Sequence, residues 1–348
     1  MSIKKLKLLK KVIIILSGFV LLAKLSINIV NAQDIHFSQY YTSPLTLNPA
    51  ETGFFSGNWR FSNNFRTQWA AIGEPFNTIS VAMDKPFDTE SGKLGVGLMY
   101  INDRSGSTYL TENKLYISFN IIRTYNNKHI FGFGVQPGYA VKSFSLDDIT
   151  LPSQYNISTG TFDSSLPDNT ETRWIENIYY GDINIGVNYL YMYGRIKPGL
   201  GIAAFHVNRP KMSFLREDNT LPVRYVLHGN ADITINDNSF VKTNFLSMHQ
   251  KKAHNCMFGL SLHFILPENN MLEQIFAGVH SRISSAVVDA VIFSTGLEIY
   301  NLQIGLSYDV NISSLAYVSN RRGAFEISVI YKDISTTLNK IALPCDRF

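Results

Sequence analysis

Eight histidines, two cysteines and three Gly-X-Gly triplets are the residues of this 348-residue chain whose types could support catalysis, metal binding or phosphate recognition. The sequence has no HExxH, no histidine pair at metal spacing with a carboxylate, and no CxxC. No metal or cofactor is therefore expected. The triplets "GVG" (95–97), "GFG" (132–134) and "GLG" (199–201) are phosphate-loop-like in composition only. A phosphate loop joins a strand to a helix, where backbone N–H groups converge on the anion. These glycines fall inside runs of period two and are expected as small residues on an interior face. His206 and His228 are expected near strand ends, where a Ser/His/Asp set could be assembled from loops, but the spacing selects no partner for either. Asn156 and Asn311 stand in NIS sequons, expected to be chance matches.

The triplets lead to the elements that carry them. In "IFGFGVQPGYAV", residues 130–141, Phe131, Phe133, Val135, Pro137, Tyr139 and Val141 share one parity, and Ile130, Gly132, Gly134, Gln136, Gly138 and Ala140 the other. "KLGVGLMY" places Leu94, Val96, Leu98 and Tyr100 on one face with glycines between. "INIGVNYLYMY" sets Ile183, Ile185, Val187, Tyr189, Tyr191 and Tyr193 against Asn184, Gly186 and Asn188, and "NLQIGLSYDV" sets Leu302, Ile304, Leu306, Tyr308 and Val310 against Asn301, Gln303, Gly305, Ser307 and Asp309. Side chains alternate faces along a strand, so these runs are strands. A soluble barrel or sandwich hides its apolar face and shows Lys, Glu and Thr on the other. Here the second face is small or amide-bearing, and the apolar face carries ladders of Tyr and Phe. That is the inverted arrangement of a membrane barrel, with lipid outside. The fold class expected is all-β, a transmembrane outer-membrane β-barrel; a large soluble all-β sandwich is the rival.

Residues 1–32 have the layout of a secretory signal peptide: Lys4, Lys5, Lys7, Lys10 and Lys11, then "VIIILSGFVLLA", then the small residue Ala32. The mature chain is expected to begin at Gln33, the alternative being an uncleaved anchor over residues 12–30, a run that Lys24 interrupts. Setting aside the leader's six lysines takes the net charge from +4 to −2. The basic pI thus belongs to the leader and implies no nucleic-acid partner. Cys256 and Cys345 are too few for a disulfide scaffold, and one bridge between them is left open.

Fourteen strands are expected, near 58–65, 77–84, 92–102, 112–124, 129–141, 179–193, 196–207, 223–235, 239–250, 256–266, 272–282, 289–299, 301–311 and 323–332. Links after even-numbered strands are mostly tight turn sequences such as "YNNK", "GR", "NDNS" and "PENNM". Links after odd-numbered strands are longer, including "DRSGSTYLT", residues 142–178 and "NRPKMSFLREDNT". Short turns on one rim and long loops on the other are characteristic of outer-membrane barrels. The expected layout is a signal peptide (1–32), an irregular arm (33–57), the barrel (58–332) and a tail (333–348), with both termini periplasmic. Pro44 and Pro49 are expected to keep the arm out of regular structure, and it is expected to fold into the lumen or against the rim.

The sequence resembles the PorP/SprF family of type IX secretion system membrane proteins. The resemblance rests on "FSQYYTSPLTLNPAETG", "RFSNNFRTQW" with "PFNTISVAMDKPF", "GLGIAAFHVNRPKMSF", "SYDVNISSL" with "GAFEISVIY", and the terminal "PCDRF". Where the family usually ends in Cys-Pro before Arg-Phe, this chain has Cys345 followed by Asp346. The resemblance implies an outer-membrane protein of the Bacteroidetes secretion and gliding machinery. Its partners would be membrane lipid, periplasmic ring or peptidoglycan-linking proteins, and a large surface adhesin that it helps to export or anchor. The residues matching the amino-terminal motif are Phe37, Ser38, Gln39, Tyr40, Asn48, Pro49, Ala50 and Gly53, expected to be structural or partner-binding rather than catalytic. Lys211, Arg216, Glu217 and Asp218 in one expected outer loop, with Trp174 in another, supply the mixed-charge and aromatic contacts that partner surfaces use. Neither a small-molecule substrate nor a nucleic acid is expected. A general porin and an outer-membrane hydrolase are the rival functions.

Overall fold

The computed structural model describes residues 34–106, 110–143, 155–156, 159–163, 177–213, 219–267, 271–284, 287–313 and 316–334. The expected leader, the start at Gln33, Trp174, Arg216, Glu217, Asp218, Cys345 and Asp346 lie outside the described residues. Among the described residues sixteen strands follow one another: β1 (Trp59–Gln68), β2 (Phe76–Thr89), β3 (Gly92–Ser105), β4 (Leu110–Tyr125), β5 (His129–Ser143), β6 (Tyr155–Asn156), β7 (Thr161–Phe162) and β8 (Asn177–Tyr191) come first. They are followed by β9 (Ile196–Phe205), β10 (Arg224–Asn236), β11 (Ser239–Gln250), β12 (Ala253–Ile265), β13 (Leu272–Ser284), β14 (Val287–Ile299), β15 (Leu302–Asn311) and β16 (Arg322–Asp333). Fourteen of them form a closed antiparallel barrel; β6 and β7 make a separate two-stranded hairpin in the link between β5 and β8. All fourteen expected strands are present. The ring closes where β1 pairs with β16, from Trp59 opposite Asp333 to Gln68 opposite Ala324. Barrel strands β1 and β16 thus open and close on the same rim, called here the near rim.

The alternation follows the sequence parity. Along β4, Leu115, Ile117, Phe119 and Ile121 face outward and are roughly half exposed, while Tyr116, Ser118, Asn120 and Ile122 are buried inside. Such an outer surface has no favourable place in water, and in hydrocarbon a closed barrel pairs every edge. Outward tyrosines gather at both ends: Tyr125, Tyr193 and Tyr300 at the near rim, and Tyr139, Tyr179 and Tyr225 toward the far one. Lys128 Nζ sits 3.9 Å from the centre of the Tyr193 ring. These are the two aromatic girdles of a membrane barrel. The rival sandwich is excluded by the closed topology. Among the described residues no helix is long and apolar enough to cross a membrane.

The loop asymmetry is narrower than the sequence suggested. The far rim carries the links 144–176, 206–223 and 312–321, but its links 251–252 and 285–286 are as short as the near-rim turns. The length is concentrated on the strands beside β8, β9 and β16. Ile117 lies midway along β4 with its side chain in the lipid-facing row. Ile117→Arg should destabilise the inserted barrel by about 2–4 kcal/mol, read by urea titration of unfolding in lipid vesicles.

Candidate functional site

The largest departure from an ordinary barrel lies inside it. Residues Asp34–Asn58 run through the lumen, and the arm is not fully irregular: Tyr40–Thr42 and Pro49–Glu51 are 3₁₀ turns and Pro44–Leu47 a single α-turn. Pro44 and Pro49 each open one of these turns, where the missing N–H is no loss and the fixed φ favours the helical start. Proline therefore shapes short turns here, where the sequence suggested only irregularity. The described arm starts at the far end of the lumen, since Asp34 meets Arg224, the first residue of β10, and Gln250, the last of β11. It descends to the near rim, where Glu51 accepts a hydrogen bond from Asn188 and Arg60 in the second position of β1 donates to the Glu51 carbonyl.

Each amino-terminal motif residue is buried in this passage: Phe37, Ser38, Gln39, Tyr40, Asn48, Pro49, Ala50 and Gly53. Ser38 and Gln39 donate their backbone N–H groups to the two oxygens of Glu326, at 2.6 and 2.8 Å. Arg66 pairs with that same carboxylate and reaches Asp309 at 3.2 Å and the Ser38 hydroxyl at 2.6 Å. Arg282 bridges Asp309 and Asp289, both at 2.7 Å. Lower down, Asn48 Nδ2 donates to the Val187 carbonyl and its Oδ1 accepts from Ala50 N, an N-cap for the 3₁₀ turn. Asn120 donates to the carbonyls of Ala50 and Thr52, and Gly53 N donates to Asp84, whose carboxylate also takes two bonds from Arg60.

The Gly-X-Gly triplets acquire their meaning here. A Cβ on Gly134 would run into the Pro49–Ala50 peptide, one on Gly95 into Thr52, and one on Gly186 or Gly201 into the Asn48–His228 contact. Gln136, the amide on the same face, donates to the Leu45 carbonyl and accepts from Asn184. Gly53 has φ +66, and a Cβ built on it would lie 2.7 Å from Gly95 Cα, so both the backbone twist and the close approach require glycine. The small residues are interior, as expected, and the space they leave is occupied by the arm.

A second polar cluster closes the far end. Asp34 meets Lys114 at 3.2 Å, Arg224 at 3.2 Å and His206 Nε2 at 2.8 Å, while His206 Nδ1 meets Asp182 at 2.9 Å. Asp182 also accepts from the Tyr116 hydroxyl, and Glu112 joins Lys114 and Tyr180. Both nitrogens of His206 face carboxylates, so the ring serves as a bridge rather than as a base for a nucleophile. His228, expected near a rim, lies further down β10 against Asn48. Asn311 is buried in the lumen and out of reach of a glycan. Neither Asp34 nor His206 lies in a strand. Burial opposes charge on Asp34, but Lys114, Arg224 and His206 outweigh it and hold the carboxyl well below its usual range. Burial likewise opposes the imidazolium of His206, and its bonds to Asp182 and Asp34 outweigh that and raise its pKa.

These lumenal charges were not singled out from the sequence. Their signal was available: Arg66, Asp309 and Glu326 all stand on the inward parity of membrane strands, where a charge persists only if paired. Lys211 of the far-rim link is exposed and bridges to Thr220, above Met212 and Leu221, which pack against Ala140, Ile178 and Tyr180. Beside the arm, toward the near rim, a cavity of about 390 Å³ remains, bounded by Tyr40, Tyr41, Pro44 and Leu47 on the arm and by Lys242, Asn244, His263 and Gln274 on the wall. Among the described residues no group of three or more His, Cys, Asp or Glu is arranged to hold a metal ion.

A membrane-spanning barrel with its own amino-terminal segment threaded through the lumen is the class of protein these features define. The family model described as Type IX secretion system membrane protein PorP/SprF matches residues 29–331. The chain belongs to that family and is a type IX secretion component of the outer membrane. A comparison with curated proteins finds no match. Among solved structures, it is similar to the toluene transporter TbuX of Ralstonia pickettii, at 10% identity and TM-score 0.49, over 84% of this chain and 94% of that one. It is also similar to the CymD monoaromatic hydrocarbon channel, at 11% identity and TM-score 0.48, over 89% and 96%.

Two outcomes follow from the seat of the arm. Gly134→Val should force the arm from its groove at a cost of about 1–3 kcal/mol, making residues 34–58 sensitive to protease in the folded barrel. Gly181→Val, where a Cβ meets nothing within 4 Å, should leave it protected. The second outcome concerns pH. The Asp34 contribution is complete above the ordinary carboxylate pKa of about 4 and is lost as pH falls through its depressed value; the His206 contribution is complete below the ordinary imidazole pKa of about 6.5 and is lost as pH rises through its raised value. Hydrogen exchange at Asp34–Gln39, corrected for intrinsic rates, should be slowest between those limits, and His206→Gln should remove the rise on the alkaline side.

Proposed function

We propose that this protein is a non-enzymatic scaffold of the type IX machinery that helps to export a large surface adhesin or to hold it at the cell surface, and that serves gliding where the adhesin does. In this reading the rim bearing the links 144–176 and 206–223 faces the exterior, and the ends of β1 and β16 face the periplasm, where short turns and the tail contact ring or peptidoglycan-linking proteins. The observation that carries it, beside family membership, is the filled lumen: the arm runs from the far end of the barrel to the near rim and is tied to the wall by the carboxylates of Glu326 and Asp84 and the amides of Asn120 and Gln136. A barrel so filled offers rims and loops to its partners rather than a standing passage or a reaction centre. Trp174, Lys211, Arg216, Glu217 and Asp218 are the proposed outer contacts. The paired ionic clusters inside are accounted for by holding the arm, which removes the reason to assign them catalytic work.

A channel is the second reading, favoured by the polar cavity of about 390 Å³ on the near side. The two separate in one set of measurements. Crosslinking of the tagged barrel in native outer membranes, followed by mass spectrometry, should recover a very large surface protein or periplasmic ring components, and Lys211→Glu should reduce the former. Intact protein in a planar bilayer at low voltage should carry no continuous current. Recovery of the barrel alone from membranes rich in those partners, together with a standing current, would replace the scaffold with a porin.

A further inference from the structure

The arm divides into two parts that are held in different ways. Asn48–Gly53 is seated with its backbone against the wall: Asn120 holds two of its carbonyls, Asp84 its last amide, and the glycines of β3, β5, β8 and β9 leave room for no other fit. From Asp34 to Gln39 the main fixed points are charged side chains, Lys114, Arg224 and His206 on Asp34, and Glu326, Arg66 and Asp309 around Ser38 and Gln39. Within residues 36–41, His36 Nε2, Gln39 Nε2 and the hydroxyls of Tyr40 and Tyr41 are buried with no hydrogen-bond partner in the protein. No buried side-chain atom of Asn48–Gly53 is in that position among the described residues. A buried polar atom without a partner favours any arrangement that lets water reach it.

There is room for such an arrangement. The cavity of about 390 Å³ borders Tyr40, Tyr41, Thr42 and Pro44, and its far wall is polar, with Asn230, Lys242, Asn244, Ser261 and Gln274. The wall behind residues 34–42 is mixed: Asn64, Arg66, Asp309 and Glu326 are buried there, beside an apolar patch of Ala203, Phe205, Val226, Leu246 and Met257 under Tyr40. A permanent core gains stability from apolar packing, and polar groups that must stay dry are a poor substitute. The charged and amide part of that wall, and the polar wall of the cavity, suit a surface that is sometimes wet.

We infer that the barrel is a gated aqueous pore in which residues 34–42 are a movable stopper. The stopper turns about Ser43–Leu47, with Tyr40–Thr42 moving toward the neighbouring cavity and residues 34–39 leaving through the far mouth, while Asn48–Gly53 remains seated. The movement opens a polar path between the rims for hydrated ions and small polar solutes. The pore goes beyond the secretion role, which partner recovery tests separately, so either idea can fail alone.

The test is single-channel recording in planar bilayers, on a Cys256→Ser, Cys345→Ser background so that only introduced thiols pair. Glu326→Gln keeps the shape of the acceptor but removes its charge, and should increase the fraction of time open by at least about tenfold, equivalent to ~1.4 kcal/mol. In that variant Thr42→Cys with Asn64→Cys, replacing side chains that bond at 2.7 Å, should abolish the current steps when oxidised and restore them on reduction. Thr52→Cys with Ser118→Cys, replacing hydroxyls 2.5 Å apart, should leave the steps unchanged when oxidised, because that part does not move. A chain lacking residues 34–42 should conduct continuously. Heat-modifiable gel mobility establishes that each variant is a folded barrel. Folded Glu326→Gln and deletion proteins that carry no current, or steps that persist through the oxidised Thr42–Asn64 lock, would overturn the inference.

Discussion

The closure of β1 onto β16 is the constraint on which the rest of the molecule depends. In hydrocarbon an unpaired strand edge leaves a row of N–H and C=O groups with no partner, and each costs several kcal/mol. Ten paired positions along this seam remove the last edges of the sheet. Closure at fourteen strands also encloses a lumen wider than the inward side chains alone fill. The space must hold water or chain. In this protein it holds chain from the far end to the near rim, with a polar cavity left beside the chain on the near side.

What fills the lumen is the protein's own amino-terminal segment, and the chemistry of the seat follows from its position. The arm brings backbone donors and acceptors that strands and helices would ordinarily satisfy, so the wall supplies side chains to do so: carboxylates for the amides of Ser38, Gln39 and Gly53, and carboxamides for the carbonyls of Leu45, Ala50 and Thr52. Those carboxylates are far from bulk water and are neutralised by Arg66 and Arg60. The inward glycines are the complement of the same design, since a backbone can approach another closely only where no Cβ intervenes. Charges, amides and glycines on the inner face are thus one structural answer to one occupant.

Much of the architecture was legible in the linear sequence because a membrane strand reports both faces. Phe131, Phe133 and Tyr139 against Gly132, Gly134 and Gln136 give the direction of lipid as well as the period. All fourteen barrel strands were expected close to where they lie, the ends shifting by a few residues. His206 and His228 were less legible. Their roles depend on which strand neighbours them across the ring and on where the arm passes, and neither is encoded in local spacing. The turns at Pro44 and Pro49 were missed for a related reason: proline excludes helix interiors but favours helix starts, and only the packed arm selects between the two.

The sequence alone determined the class of the protein. Alternation with aromatic outward faces leaves a closed membrane barrel as the arrangement that both buries those faces in lipid and pairs the backbone. The tertiary structure decided what the interior is for. Arg66, Asp309 and Glu326 lie 243 and 260 residues apart along the chain, measured from Arg66, yet meet at Ser38 because ring closure and the threaded arm bring them together. Periodicity is a local property and survives in one dimension. The partner of a buried charge is set by closure, register and the path of the arm, and so appears only in three.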